Sequence, residues 1–489
     1  MPEFDIKPDN LFSDDTLEVA LGIAEGPCYG LVDGAKTFYV NGTALQNSLG
    51  QPNFKGIELH QYGGYDNSSE TFTPKLGGVA SNNTVGVNLA HGVAVTRTGQ
   101  QTLIDAIEIR LNFTQLYQTT DKGTYSQQAG FVIEYKPTAS GNWTSAFNPV
   151  FEVKGKTTTS YIKEIRFPVP KISGTYDIRI RRSYPTDDTN DAPVCAVTWE
   201  SFQEVKATSY WFRNTAYIHA IVRASDQLSG NLEFSADWKG MLCRVPTNYD
   251  PENRTYTGVW DGTFKFAWTD DPAWCLYDLV NNDRYGLAVF GPIEMDKWDA
   301  FEASIWCSEK VPDGHGGLHC RYSFNHEIAD EVDSKELARF VAGSFNATFF
   351  DDNNGVAHIR MDKPTDATHL FIPENVENGE FEYSFSAVDT RYNDITVSYI
   401  SPNLDWQEDR RRVYDQANID LYGRVPFDMV AVGAIDEQQA IRAARYQLIT
   451  ATTEKMSVTF RTNTLMHDDE LYDVILVRHP QLGLSMTGR

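Results

Sequence analysis

The sequence predicts a mainly β protein with inserted helices, an α+β chain of several domains. Aromatic residues are abundant, with 27 Phe, 24 Tyr and 10 Trp beside 35 Gly, a composition suited to sheet cores and tight turns. Short runs of alternating polarity recur through the first half of the chain. At 489 residues the chain is also too long for one core, since cores stop growing near roughly 250–300 residues. About three domains are expected, at roughly 150 residues each.

Taken in order, Thr37 to Val40 followed by Asn41-Gly42 reads as a hairpin, because Asn-Gly accepts the positive φ values of a type I′ turn. Gly63-Gly64, Asn67-Ser68-Ser69 and Ser81-Asn82-Asn83 read as loops. From residue 91 the alternation becomes regular, in Ala106–Leu111, Phe131–Lys136 and Tyr176–Arg181. Such strands without helical period between them predict an antiparallel β-sandwich over 91–205, with Trp143 and Trp199 in its core. The β character continues over 206–262.

The period then changes. Asp271-Pro272-Ala273-Trp274 opens a helix running to about Asn282, with Pro in the first turn where its missing N–H costs nothing. A second helix is expected from Asp296 to Cys307. Asp333 and Glu336 have capping-box spacing, with Leu337, Phe340, Val341, Ser344 and Phe345 on one face. A hairpin follows over 347–362, turning at Asp351-Asp352-Asn353-Asn354-Gly355. Asp436 caps another helix over 436–450, with Gln439 at its third position and Ala440, Ile441, Ala444 and Leu448 inward. Strands flank it at Asp394–Tyr399 and Met456–Arg461, and Tyr472–Val477 and Leu482–Arg489 close the chain.

Charge narrows the function classes. The chain has 67 Asp+Glu against 42 Lys+Arg, a formal charge of −25, which repels phosphate backbones and anionic bilayers. Basic residues cluster only briefly, at Arg179–Arg182 and Arg410–Arg412. Sequence-specific nucleic-acid binding is therefore not expected. The opening MPEFDIKPDN lacks a basic n-region and an apolar h-region, so no secretory signal is expected. Six thinly spread cysteines predict free thiols of a reducing cytoplasm rather than a disulfide scaffold.

The nearest approach to a metal site is the loop carrying Cys307, His315, His319 and Cys320. These are zinc-type ligands, but they lack a tight C-x2-C or H-x3-H arrangement. A half-buried loop with incidental histidines is the favoured reading. The acid clusters Asp187-Asp188, Asp351-Asp352 and His467-Asp468-Asp469-Glu470 do not match the calcium-loop pattern. Paired carboxylates of a glycosidase remain an open class without a located pair. There is no G-x-S-x-G, Walker loop, H-E-x-x-H or dinucleotide fingerprint. Gly22-Ile-Ala-Glu-Gly26 opens no helix, and Cys28 has no evident base. No catalytic and no cofactor-binding residue is assigned.

Several segments together resemble one family. Glu25-Gly26-Pro27-Cys28-Tyr29-Gly30-Leu31-Val32-Asp33-Gly34-Ala35-Lys36, then Phe38-Tyr39-Val40-Asn41-Gly42-Thr43, is similar to the opening of the tail tip attachment protein J family of long-tailed bacteriophages. The similarity continues at Arg244–Pro251, Tyr256–Lys265, Trp268–Trp274, Asp283–Leu287, Val311–Gly314 and Asn393–Tyr399, in the family's order.

The resemblance implies a structural virion protein and not an enzyme. Such a protein is a homotrimer at the tail tip, assembled in the host cytoplasm. It closes the tail tube, carries the receptor-binding tip and provides the conduit for DNA ejection. Partners so implied are the distal tail protein ring, the tape-measure protein, other tail tip proteins, a C-terminal fibre and an outer-membrane receptor; DNA passes through the lumen without specific binding. The implied architecture is a multi-domain β-barrel hub plus the inserted sandwich: 1–90 with 206–262 as a first barrel, 91–205 inserted, 263–365 a helix-containing α/β domain, and 366–489 a second barrel-like domain. The longer relatives continue beyond the position of Arg489, so these residues are expected to build conduit and platform rather than read the receptor. The alternatives are a cell-surface carbohydrate-binding or degrading module, motivated by the aromatic content and the sandwich, and a receptor-binding adhesin.

Overall fold

A computed structural model describes residues 16–488 apart from 67–69, 75–77, 140, 149, 187–192, 224–227, 229–230, 330–331, 353–354, 388–390, 463–470 and 480–482. The predicted loop at 67–69 and the acid clusters at 187–188 and 467–470 lie outside the described residues. The chain divides into two compact units, Met1–Met241 and Leu242–Arg489.

In the first unit, Thr215–Arg223 is the middle strand of a three-stranded antiparallel sheet between Thr16–Glu25 and Ile57–Tyr62. Gly22–Gly26, superficially glycine-rich, lies on the first of these strands and its exit. The predicted hairpin forms: Phe38–Val40 pairs with Thr43–Ala44 across Asn41 and Gly42, at φ 50° and 74°. Phe234–Ala236 extends this hairpin, and Trp238–Met241 pairs with Cys28–Leu31. Leu31, Phe38, Val40, Leu45, Ile218 and Val222 close a small core.

A β-sandwich interrupts this module. One sheet runs Tyr161–Pro168, Ala106–Thr120, Pro193–Lys206, Gly78–Asn88; the facing sheet is centred on Gln127–Pro137 and Tyr176–Tyr184. Pairing of Gly78–Asn88 with Pro193–Lys206 brings that strand into the sandwich ahead of residue 91. Alternation puts Ile107, Ile109, Leu111 and Phe113 inward against Phe131, Ile133, Ile178 and Ile180. Trp199 is fully buried there, its Nε1 donating to the Ser201 carbonyl at 3.0 Å. Trp143 is not a core residue. Its ring is half-buried beneath the Arg179 guanidinium, 4.2 Å away, where the cation is attracted to the π face of the indole.

The second unit begins earlier than the sequence suggested. Cys243–Pro246 pairs with Phe264–Ala267, and Tyr249 and Trp260 pack with Trp274. Residues 243–262, expected in the first barrel, thus belong to the second core; alternation reveals that a strand has an apolar face but not which core receives it. Helices α1 (Pro272–Asn281), α2 (Lys297–Ser308) and α3 (Ser334–Gly343) surround this core, each capped by the aspartate preceding it. In α3 the buried residues are Ala338, Val341 and Ala342, followed by Phe345, while Phe340 is exposed. The hairpin Ala347–Asp351 with Val356–Met361 follows as expected, its turn residues 353–354 lying outside those described.

Beyond it, Asp394–Ser401 lies between antiparallel Gln407–Tyr414 and parallel Pro426–Val430. A short helix α4 (Gln416–Tyr422), capped by Asp415, precedes the parallel strand. It has no apolar face, so no periodicity announced it. Helix α5 (Glu437–Thr453) covers the sheet with Ala440, Ala444 and Leu448, Ile441 being only half-buried. Val376–Phe385 pairs with Met456–Thr462, and Ile475–His479 with Leu484–Gly488. Among the described residues no helix is long and apolar enough to cross a membrane.

Glu204 is fully buried in the sandwich. It accepts from Ser81 Oγ at 2.5 Å, from the Gln100 amide at 2.9 Å and from the Gln101 amide at 3.0 Å. Glu204→Ala removes the acceptor that these donors share and is expected to lower stability by about 2 kcal/mol, read as a shift in the urea midpoint. Glu204→Gln, which keeps an acceptor, is expected to lose less.

Candidate functional site

The residues that carry the family resemblance make mostly structural contacts. In the amino-terminal segment they perform close packing. Gly26 lies against Gly63-Gly64, where an added Cβ would stand 2.7 Å from the Gly64 Cα. Gln61 reaches across Gly30: its Oε1 accepts from the Leu31 amide at 2.9 Å and its Nε2 donates to the Tyr29 carbonyl at 3.2 Å. Asp33 receives the Lys36 ammonium at 2.9 Å, and Asn41 Oδ1 accepts from the Glu233 amide. Cys28 is buried, donates to the Glu25 carbonyl at 3.1 Å, and burial pushes its thiol up to about 11.

The segment Trp268–Trp274 builds a buried polar knot. Asp271, with no exposure, caps α1 by accepting from the Ala273 amide at 3.1 Å. Its other oxygen accepts from Ser304 at 2.6 Å, Tyr249 at 3.2 Å and Ser308 at 3.3 Å. The Arg254 guanidinium stands 3.4 Å from it and 3.5 Å from Asp270, while donating to the Tyr322 carbonyl at 2.7 Å. Burial alone would depress this guanidinium; Asp271 and then Asp270 outweigh it and hold it above its ordinary value. Burial raises the Asp270 carboxyl, against the pull of Arg254. Outside the knot is an open cleft of about 540 Å³ lined by Tyr256, Glu302, Trp306, Glu309 and Lys363 among others. Its acids are neutralised, Glu302 by Lys363 and Glu309 by Arg321.

The segment Asn393–Tyr399 is built alike. The Asp394 carboxylate is wholly buried between Arg412, at 2.7 and 2.9 Å, and Arg424. Arg411 pairs with Glu437 at 2.7 Å and Asp409 at 2.8 Å, and Arg410 with Glu408. The basic run at 410–412 is thus internally neutralised. So is Arg179, by Glu134 at 2.7 Å.

The zinc-type residues are dispersed in role. Cys307 is buried within α2, its thiol raised well above the ordinary range by burial. His315 is exposed at a turn held by Asp313. His319 is engaged on both sides, its Nε2 accepting from Arg442 at 2.8 Å and its Nδ1 lying 3.3 Å from Asp436. The Cys320 sulfur accepts from Lys310 at 3.2 Å. Among the described residues no group of three or more His, Cys, Asp or Glu is placed to hold a metal ion. Asp351 bonds Lys335 of α3 at 3.0 Å, and Asp352 accepts from the Val356 amide at 2.8 Å within the hairpin. What sequence reasoning did not find is Arg254: an isolated arginine in a turn carries no motif, and only the fold sets it beside Asp271.

Arg254→Ala strips the counter-charge from a buried carboxylate and is expected to destabilise the second unit by roughly 3–5 kcal/mol, measured by urea unfolding. Arg412 holds the Asp394 carboxyl below its ordinary value of 3.8, with Arg424 assisting against burial. A depressed carboxyl stabilises fully above its unfolded value and ceases to as pH falls through the folded one. The thermal midpoint is therefore expected to fall on acidification from about pH 5 to pH 3, and to fall less in Asp394→Asn.

Residues 79–208 match the family described as the FNIII-A domain of tip attachment protein J, and residues 345–489 a family described as putative phage tail protein. The chain is 29% identical over 499 residues to tip attachment protein J of Escherichia phage SECphi27, covering 98% of this chain and 40% of that protein. To its counterpart in Escherichia phage SECphi4 it is 27% identical over 456 residues, covering 90% and 39%. Among solved structures, a tail protein from Neisseria meningitidis MC58 aligns with 81% of this chain and 88% of its own, at 9% identity and TM-score 0.28. The 43 kDa tail protein of prophage MuSo2 from Shewanella oneidensis aligns with 81% and 91%, at 12% identity and TM-score 0.28. The chain spans about 40% of the length of the curated relatives it matches. Over most of its length the chain is similar to tip attachment protein J of phage tails.

Proposed function

We propose that this chain is the structural hub of a phage tail tip: a homotrimer that closes the distal end of the tail tube and forms the conduit for DNA ejection. The observation that carries the reading is similarity to tip attachment protein J along 98% of the chain. Its shared segments supply turns, close backbone approach, helix caps and neutralised buried carboxylates, which is the chemistry of a protein selected for shape. No enzymatic role is assigned to it.

In this reading the module built from 16–62 and 215–241 is one hub barrel, the region after 366 is the other, and the sandwich is an insertion in the first. The neighbours are the distal tail ring, the tape-measure protein and other tip proteins, with a fibre and the receptor lying beyond these residues. Large apolar side chains left at the surface, including Leu49 at 82%, Phe290 at 81%, Val259 at 97% and Leu421 at 74% exposure, suit a subunit that is covered on assembly. The formal charge of −25 suits a lumen that phosphates cross without adhering.

Imaging of intact particles at the tail tip, with native mass measurement of the purified chain, tests this. Three copies around the tube axis are expected, with an acidic lumen. A stable monomer at micromolar concentration, or density placing these residues away from the tube axis, would refute the hub; a basic lumen would refute the electrostatic part alone.

A further inference from the structure

Lys310 and Cys320 face each other across a short hairpin. Lys310–Pro312 pairs antiparallel with Leu318–Cys320, in the register Lys310 to Cys320, Val311 to His319 and Pro312 to Leu318. Directly opposite residues of such a pair have Cβ atoms roughly 4.5–5.5 Å apart. Here the Lys310 ammonium donates to the Cys320 sulfur at 3.2 Å. The Arg321 amide donates to the Glu309 carbonyl at 2.8 Å beside the pair, and the Asp313 amide to the Gly317 carbonyl at 3.1 Å at the tip. The backbone itself therefore brings amine and sulfur together. Lys310 is exposed and Cys320 half-buried, so a small oxidant reaches both.

The direction of the hydrogen bond sets this sulfur apart from two others. Cys28 and Cys275 donate to carbonyls, that of Glu25 at 3.1 Å and that of Thr269 at 3.6 Å, which favours the neutral thiol. Cys320 accepts from an ammonium, which favours the thiolate, the form that reacts with peroxides.

We propose that Lys310 and Cys320 are the site of an oxidative cross-link, a sulfenamide that closes after a peroxide has oxidised Cys320. This goes beyond the tail-tip reading and does not depend on it. The Cys320 thiolate attacks one oxygen of hydrogen peroxide and the O–O bond breaks. The sulfur keeps one hydroxyl as a sulfenic acid, and the other leaves as water with the proton the thiol gave up. Lys310 then gives one proton to solvent, and its nitrogen attacks the sulfenic sulfur. The S–N bond forms and the S–O bond breaks, the hydroxyl leaving as water with a second proton from the nitrogen. Cys320 is oxidised by two electrons, one peroxide is reduced to two waters, and the pair loses two hydrogens. The link would tie together the two ends of the hairpin whose first strand and tip carry the family-like segment Val311–Gly314, and whose His319 is engaged by Arg442 of α5 and by Asp436.

The purified full chain is treated with hydrogen peroxide, quenched with catalase, denatured, alkylated and mapped by mass after trypsin. The expected result is a segment Trp298–Arg321 left uncut after Lys310 and two hydrogens lighter, with Cys307 alkylated, Cys320 not, and dithiothreitol reversing the change. Alkylated Cys320, cleavage after Lys310 with Cys320 carried to a stable acid, a Cys307–Cys320 disulfide, or a link heavier by one oxygen overturns the proposal. The wild-type map decides without a variant. Lys310→Arg, which keeps a cation opposite the sulfur, is expected to yield a sulfenic acid that dimedone traps and to lose the cross-link; a cross-link retained in this variant also overturns the assignment.

Discussion

The first unit depends on one pairing, that of Thr215–Arg223 with Thr16–Glu25 on one edge and Ile57–Tyr62 on the other. From Ala216 to Val222 this strand is buried throughout, so it has no solvent face to fall back on. Its two partners lie before the sandwich and it lies after. The sheet therefore completes only when the inserted domain returns its ends together, and the closure cost grows slowly enough with loop length for a folded insert to be tolerated. Around that return, Phe72 bridges to Tyr210 and its ring lies 4.5 Å from His219, while Tyr62 stacks on Tyr217 at 4.5 Å. Glu70 accepts from the Gly63 amide at 2.8 Å and the Tyr65 amide at 2.7 Å, and its carbonyl accepts from Tyr217. Among the described residues, the neck between module and insert is held by aromatic packing and by the hydrogen bonds of Glu70.

A second theme is the buried carboxylate. Glu204, Asp271 and Asp394 are all withdrawn from water, each by a different solution. Glu204 is held by neutral donors, Asp271 by hydroxyls, a helix terminus and Arg254, and Asp394 by two arginines. A charge in low dielectric persists only with such partners. These groups specify one arrangement of strands and helices, because any slip would leave a charge unpaired. An acidic composition that looks like a surface property is therefore partly architectural.

The same view explains why the chemistry-bearing residues gave so little. His319 and Cys320 looked like ligands by type, yet in the fold His319 bridges Arg442 and Asp436 while Cys320 accepts from Lys310. Gln439 looked like half of a capping box, yet its side chain grips Ser323, accepting from the amide at 3.1 Å and donating to the carbonyl at 2.8 Å. Spacing along the chain announces what a residue can do locally, and a tertiary partner can claim it for something else.

Local chemistry by itself determined the helix starts at Asp271, Asp296, Asp333 and Asp436, the Asn41-Gly42 hairpin and the alternating sandwich strands, because each is decided within a few residues by capping, backbone φ or a two-residue period. The family resemblance was legible for the same reason, its residues being mostly turn and cap chemistry. Tertiary structure alone decided that 243–262 joins the second core, that Gly78–Asn88 joins the sandwich, that Trp143 lies under a cation instead of inside, and that Arg254 neutralises Asp271. Those outcomes depend on which distant surface buries a given apolar face or charge, a choice that no local period encodes.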